Sequence, residues 1–223
     1  MRVLDDCSSG RPDNLPPGIE LIVADVADPE AARHAAHGVE AVFHLAAISS
    51  VARASEDWVR AHQVNAMGTV AILDAVGRLA TADTPIPVVY ASSAAVYGEN
   101  PNQPLAETVQ PQPISAYGVD KLAGELHGRV ATKVHLIPTV ALRFFNIYGP
   151  GQNPASRYAG VISKIIERVR ARDEIVIYGD GSQRATLCTC GTQSARCSLH
   201  YDTRRSRRRG HTPSTSVPVL AYP

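Results

Sequence analysis

The chain predicts an α/β fold: a Rossmann-like, doubly wound parallel sheet followed by a disordered or aberrant C-terminal tail. Three observations carry this. Short apolar runs alternate with longer helix-like stretches, the pattern of parallel strands joined by crossover helices. The runs are continuously apolar, as in Pro-Val-Val-Tyr-Ala over 87 to 91, which suits strands buried on both faces. The regular text then stops near Gln183, where cysteines and an arginine run take over.

In chain order, strands are expected at 1 to 5 and 20 to 24, a helix over 28 to 37 and a strand at 40 to 45. Helices follow over about 55 to 80, with a strand at 86 to 91 that runs into the hydroxyl-rich turn Ala-Ser-Ser-Ala. The Pro-rich span from Asn100 to Pro113 is a loop. A helix over about 115 to 131 carries Tyr117 and Lys121, four residues apart and therefore on one face. A strand at 134 to 144, a loop from Gly149 to Ser156, a helix at 159 to 172 and a short strand at 174 to 178 complete the pattern. No internal repeat is visible.

The spacing of Tyr117 and Lys121 has a chemical meaning. A free phenol titrates near pH 10, and an ammonium held beside it favours the phenolate and lowers that value. The pair can then take a proton from an alcohol, and Ser93, in the turn after the 86 to 91 strand, can hydrogen-bond the same hydroxyl. Alone, a Tyr-x-x-x-Lys match reads more simply as a half-exposed tyrosine beside a solvated lysine.

Context decides otherwise. Val-Leu-Asp-Asp (3 to 6), Val-Phe-His-Leu-Ala-Ala (42 to 47), Val-Asn-Ala-Met-Gly-Thr (64 to 69), Ser-Ser-Ala-Ala-Val-Tyr-Gly (92 to 98), Leu-Arg-Phe-Phe-Asn-Ile-Tyr-Gly-Pro (142 to 150) and Tyr-Gly-Asp-Gly-Ser-Gln (178 to 183) stand in one order around the Tyr-x-x-x-Lys pair. From Val3 to Gln183 the chain resembles the extended short-chain dehydrogenase/reductase superfamily, specifically its NAD-dependent epimerase/dehydratase family. The resemblance implies NAD as cofactor, a nucleotide sugar (a UDP-hexose) as substrate, a cytoplasmic setting and a homodimer for intact relatives. It makes Ser93, Tyr117 and Lys121 the catalytic residues, with Ser93 also touching substrate and Tyr117 and Lys121 also touching cofactor. Asp5 resembles the residue that binds the adenosine ribose, Asp25 and Val26 the pair lining the adenine, and Ala46, Ala47 and Asn65 residues packed near the cofactor. Asn146 resembles a substrate diphosphate contact, and His44 is read as structural. Ala94 and Ala95 occupy the places where sugar dehydratases carry an acid and a base, which favours epimerisation at C4 over elimination. The alternatives are an inactive remnant of the family or another nucleotide-sugar dehydratase or reductase.

Both ends depart from the family pattern. Asp5 sits where the family's second strand ends, so the first strand, its glycine loop for the pyrophosphate and the first helix are expected to be missing. After Gln183, relatives continue Thr-Arg-Asp-Phe-Val-Tyr-Val, and the loss of one base from the threonine codon turns that text into Arg-Ala-Thr-Leu-Cys-Thr-Cys, the residues from Arg184 to Cys190. The expected organisation is therefore a partial NAD-binding domain at 1 to 183 and an out-of-frame tail at 184 to 223 that buries no core. The 22 Lys and Arg against 21 Asp and Glu mislead on this view, since the tail holds seven of the former and one of the latter. Residues 1 to 183 then carry about −5, which offers no case for nucleic acid. Cys188, Cys190 and Cys197 near His200 and His211 match no standard zinc spacing, and the Arg204 to Arg209 run reads as an out-of-frame product rather than a nucleic-acid arm. No apolar run is long enough to span a bilayer.

Overall fold

The computed structural model describes residues 1–81, 83–100, 104–152, 159–177, 179–182, 185–192, 197 and 219–221. Gln183, Tyr178, His200, His211 and the run Arg204 to Arg209 lie outside them. Strands β1 (Arg2–Asp5), β2 (Glu20–Val23), β3 (Val42–His44), β4 (Val88–Ser93), β5 (Thr139–Phe144), β6 (Asn146–Tyr148), β7 (Leu187–Thr189) and β8 (Val219–Ala221) all pair in parallel. They form three sheets, β1-β2, β3-β4-β5-β8 and β6-β7.

Four of the helices start where a short polar side chain satisfies a free backbone N–H. Asp28 accepts from Glu30 N at the head of α1 (Pro29–Ala36), Ser50 from Arg53 N at α2 (Val51–Glu56), and Asp57 from Arg60 N at α3 (Trp58–His62). A single π turn, Gln63–Met67, leads into α4 (Gly68–Leu79). Ser115 caps the long α5 (Ala116–Val134), and α6 (Val161–Ala171) follows.

The core sits between the central sheet and these helices. Val88, Tyr90 and Ala141 face one cluster with Val26, Ala32, Ile72 and Val76, while the alternate residues Val89, Val140 and Leu142 face another that includes Cys197. That alternation is the period of a strand buried on both sides. α5 lies against β4 and β5, and α4 against α5. The close approach of α5 needs Gly128, where an added Cβ would stand 2.0 Å from Tyr90 Oη.

The elements follow the expected order, with three differences. The strand expected at 134 to 144 starts at Thr139, because α5 runs on to Val134 and the chain then turns through Leu136, at φ 55°, before Pro138. Glu174 to Ile177 is not a strand. Ile175, Val176 and Ile177 are exposed there, and an apolar run becomes a strand only when a neighbouring strand supplies the other half of the ladder. Among the described residues of the tail, β7 pairs with β6, β8 pairs with β5, and Cys188 and Cys197 are buried. The tail was expected to be disordered or poorly packed; its described strands are three residues long and pair where a sheet edge offers its backbone groups.

The break between β1 and β3 shapes everything near the site. A cavity of about 1010 Å³ lies between them and touches consecutive residues of both, Met1 to Asp6 and Val39 to Ile48. Successive strand residues face opposite sides of a sheet, so contact with every one means that the cavity meets both strands edge-on.

Candidate active site

β4 delivers Ser93 at its carboxyl end, where its Oγ accepts from Ala95 N at 3.2 Å and opens a 3₁₀ turn over Ala94–Tyr97. At the second residue of α5, Tyr117 is buried at 8% exposure, with Ser93 close enough to its hydroxyl to favour the phenolate. Gly118 keeps this contact close, since a Cβ there would meet Ala95 O at 2.6 Å. Lys121 lies one turn further on, 5% exposed, its Nζ donating to Ala91 O at 3.0 Å and standing 5.7 Å from the centre of the Tyr117 ring. The three expected catalytic residues thus meet at the junction of β4 and α5.

Their electrostatics correct one expectation. Burial pushes the Tyr117 phenol above its usual range, and the hydrogen bond from Ser93 only partly offsets this. The ammonium was expected to dominate, but Lys121 itself is pulled down to about 8 by burial, partly opposed by the negative charge of Asp120. Water removal penalises the charged form of either group.

The cofactor-binding candidates gather elsewhere. Asp5, Asp25, Val26, Ala46 and Ala47 all line the cavity between β1 and β3. Asp5 Oδ1 accepts from Cys7 N at 2.7 Å, and Gly10 lies so near that its Cβ would touch Asp5 Oδ2 at 3.6 Å. Asp25 Oδ1 accepts from Ala27 N at 2.8 Å, and its Oδ2 from Arg60 Nη1 at 2.5 Å. Asn65 is 1% exposed and lies behind the cavity: its Oδ1 accepts from Ile48 N at 2.8 Å and its Nδ2 donates to Ile48 O at 3.2 Å. Its role is to fix the loop after β3, which carries Ala46 and Ala47. Ile48 reaches both regions, lining the cavity and packing against the cluster that holds Tyr117. Asn146 is apart from both, exposed on β6 with its Nδ2 donating to Thr186 O at 3.1 Å.

His44 is structural, as read from the sequence. Thr69 Oγ1 gives its proton to Asn65 O at 2.8 Å, so His44 Nε2, 3.0 Å from that oxygen, carries a hydrogen and donates it. Burial, reinforced by the nearby Lys121 charge, brings its titration down to about 3.

Several contributors escaped the sequence reading. Arg60 ties Asp25 to Asp6, its Nη2 lying 3.7 Å from Asp6 Oδ2. Glu125 accepts from Arg143 Nε and Nη2, each at 2.8 Å, and from Ser92 Oγ at 2.5 Å, locking α5 onto β4 and β5. A signal for this existed: an arginine inside the apolar strand Val-Ala-Leu-Arg-Phe requires a buried partner. Asp120 and His62 gave no comparable signal. Among the described residues no group of three or more His, Cys, Asp or Glu could hold a metal ion, and no helix is long and apolar enough to cross a membrane.

Comparison with known proteins gives the family. The NAD dependent epimerase/dehydratase family matches residues 1–189. The chain belongs to that family. A UDP-glucose 4-epimerase of Mycolicibacterium smegmatis is 36% identical over 186 residues, which is 80% of this chain and 58% of the relative. Among solved structures, the UDP-N-acetylglucosamine 4-epimerase of Methanobrevibacter ruminantium, in complex with UDP-N-acetylmuramic acid, superposes with a TM-score of 0.87 at 30% identity. That match covers 99% of this chain and 67% of the other. The UDP-glucose 4-epimerase of Thermus thermophilus in complex with NAD gives 0.80 at 30% identity, covering 89% and 65%. The chain therefore spans about three fifths of the curated relatives it matches. Family members share the Rossmann-like α/β fold and use NAD.

Proposed function

We propose that this family member acts as a nucleotide-sugar 4-epimerase on a UDP-hexose, through transient oxidation at C4. The observation that carries the reading is the convergence of Ser93, Tyr117 and Lys121 at one end of β4, with Ile48 linking that point to a cavity whose lining suits a dinucleotide. Asp5 sits at the carboxyl end of a parallel strand with its Oδ2 turned towards Gly10, a placement that fits a ribose diol, and Asp25 with Val26 forms an adjoining wall that fits an adenine. NAD, when bound, supplies the hydride acceptor and donor for the sugar carbon. Tyr117 Oη takes the proton of the 4-hydroxyl, and Ser93 Oγ orients that hydroxyl and shares its hydrogen bond. The Lys121 ammonium holds the nicotinamide ribose and favours the phenolate. Ala94 and Ala95 stand in the turn after Ser93, and neither methyl can move a proton, so elimination across the sugar has no acid or base there.

The test is a chimera in which the segments of the Mycolicibacterium relative that this chain does not match are joined to residues 1 to 183. It interconverts UDP-glucose and UDP-galactose, and Tyr117→Phe slows it by roughly 10²-fold or more, the usual scale for a lost acid–base group. Comparable turnover by the phenylalanine variant overturns the assignment.

A second reading, a family remnant that binds without turnover, is favoured by one observation. The β1-β2 pair is separate from the central sheet among the described residues, so Asp5 is not held in register with Ser93 by a continuous ladder. Turnover by the unmodified 223-residue chain excludes it.

A further inference from the structure

Arg2, Arg53 and Arg60 line the cavity between β1 and β3, and two of the three are already paired. Arg2 Nε donates to Glu20 Oε2 at 2.8 Å, and its Nη1 to the carbonyl oxygens of His34 and His37 at the end of α1. Arg60 is held by Asp25 and Asp6. Arg53 differs: it is half-buried, and among the described residues it forms no ion pair. Asp6, the carboxylate that its charge reaches, is held through Oδ1 by Ser8 N at 3.0 Å and Ser8 Oγ at 2.7 Å, with Arg60 on Oδ2. A guanidinium left over on a cavity wall is suited to an anionic ligand.

The fold fixes where this charge stands. Ser50 Oγ accepts from Arg53 N at 3.2 Å and sets the first turn of α2, and α2 packs against α5. The next residue, Ala54, is fully buried in the cluster that holds Tyr117, together with Ala61 of α3 and Ile48. α3 is tied to α5 as well, His62 Nδ1 lying 2.7 Å from Asp120 Oδ1. Arg53 therefore sits where the cavity that contains Asp5 and Asp25 abuts the Tyr117 cluster.

We propose that Arg53 is a binding residue for the diphosphate of a dinucleotide, its guanidinium meeting the phosphates between an adenosine at Asp5 and Asp25 and a nicotinamide half directed to Tyr117. A dinucleotide carries its two negative charges at its middle, and a ligand that spans from the ends of β1 and β2 to the start of α5 brings that middle past α2. The planar fork of the arginine can donate to two phosphate oxygens at once. Asp5, Asp6 and Asp25 line the same cavity, and a diphosphate beside three carboxylates needs a cation that they have not taken up. The orientation of the ligand rests on the proposed function, whereas the test does not use turnover.

The probe is ADP, with adenosine and UDP as controls, titrated to millimolar concentration into the 223-residue chain at low protein concentration and followed by ligand-observed NMR. The parent binds ADP more tightly than adenosine or UDP, and added salt narrows the margin over adenosine. Arg53→Gln weakens ADP by roughly 10-fold or more, the scale of one charge-assisted hydrogen bond, and leaves adenosine unchanged, while Arg53→Lys keeps part of the ADP affinity because it keeps the charge. Unchanged adenosine binding shows in the same experiment that the variant is folded around the cavity. Equal losses for ADP and adenosine, a loss confined to UDP, or a parent that binds ADP no better than adenosine each overturns the proposal. The epimerase reading is judged by turnover of the chimera and stands or falls apart from these results.

Discussion

At the scale of single residues, burial outweighs pairing in this site. Tyr117 and Lys121 both shift towards their neutral forms because each loses more from desolvation than it gains from its neighbours. Lys121 in the folded chain has released its proton by about pH 8, while the unfolded chain holds it to about 10.5. The unfolded state then binds more protons in that window, so this group's contribution to stability grows as pH rises from about 8 to 10.5. His44 obeys the same rule lower down. Folded, it titrates at about 3, and unfolded near 6.5, so stability is lost as pH falls through that interval. His44→Gln removes the coupling, and urea titrations at pH 7 and pH 4 should show the acid loss reduced by about 3 kcal/mol relative to the parent. An undiminished acid loss shows that His44 is not buried as the neutral imidazole.

At the scale of elements, α5 does the positioning. It holds Tyr117 and Lys121 on one turn and reaches the sheet through Gly128 and Glu125. Gly128→Ala gains helix propensity of up to about 1 kcal/mol but drives its Cβ into the Tyr90 hydroxyl. Overpacking of this kind costs about 1 to 3 kcal/mol, so thermal unfolding should move down rather than up. Removing one partner of the buried Glu125–Arg143 pair is more severe. Glu125→Ala strands the guanidinium, which is 4% exposed, and should cost roughly 3 to 5 kcal/mol by chemical denaturation. A loss below 1 kcal/mol means that water or another carboxylate replaces Glu125.

At the scale of the whole molecule, the divided sheet is the dominant fact. β1 and β3 meet the same cavity edge-on, and Phe43 and Leu45 are 46% and 55% exposed beside it. Sheet edges with apolar surroundings promote association. Light scattering of the 223-residue chain should show self-association that grows with concentration, and Leu45→Lys should reduce it; an indifferent variant places the sticky surface elsewhere. Calorimetric titration of the 223-residue chain should find no tight NAD binding if a glycine turn and helix N-terminus are needed for the pyrophosphate; a micromolar affinity shows that the cavity suffices. For residues 184 to 223 the proposed frameshift is tested by the coding DNA. With one base inserted after the Gln183 codon it should read Thr-Arg-Asp-Phe-Val-Tyr-Val, and any other text refutes the shift.

The parallel strands and the order of helices were legible in the sequence, because apolar period is a local property of the chain; helical spacing placed Tyr117 and Lys121 on one face, while the catalytic roles of Ser93, Tyr117 and Lys121 came from motif order and stand as a proposal. Asp5, Asp25, Val26, Ala46 and Ala47 were legible through motif order, and the cavity brings them together. The buried pairs were not legible, since Glu125 with Arg143 and Asp120 with His62 join residues 18 and 58 positions apart. Nor was the balance of charge at the site. Spacing alone places an ammonium near a phenol, but whether that ammonium prevails depends on how much water each group loses, and only the packing of α5 against β4 and the α3 end determines that.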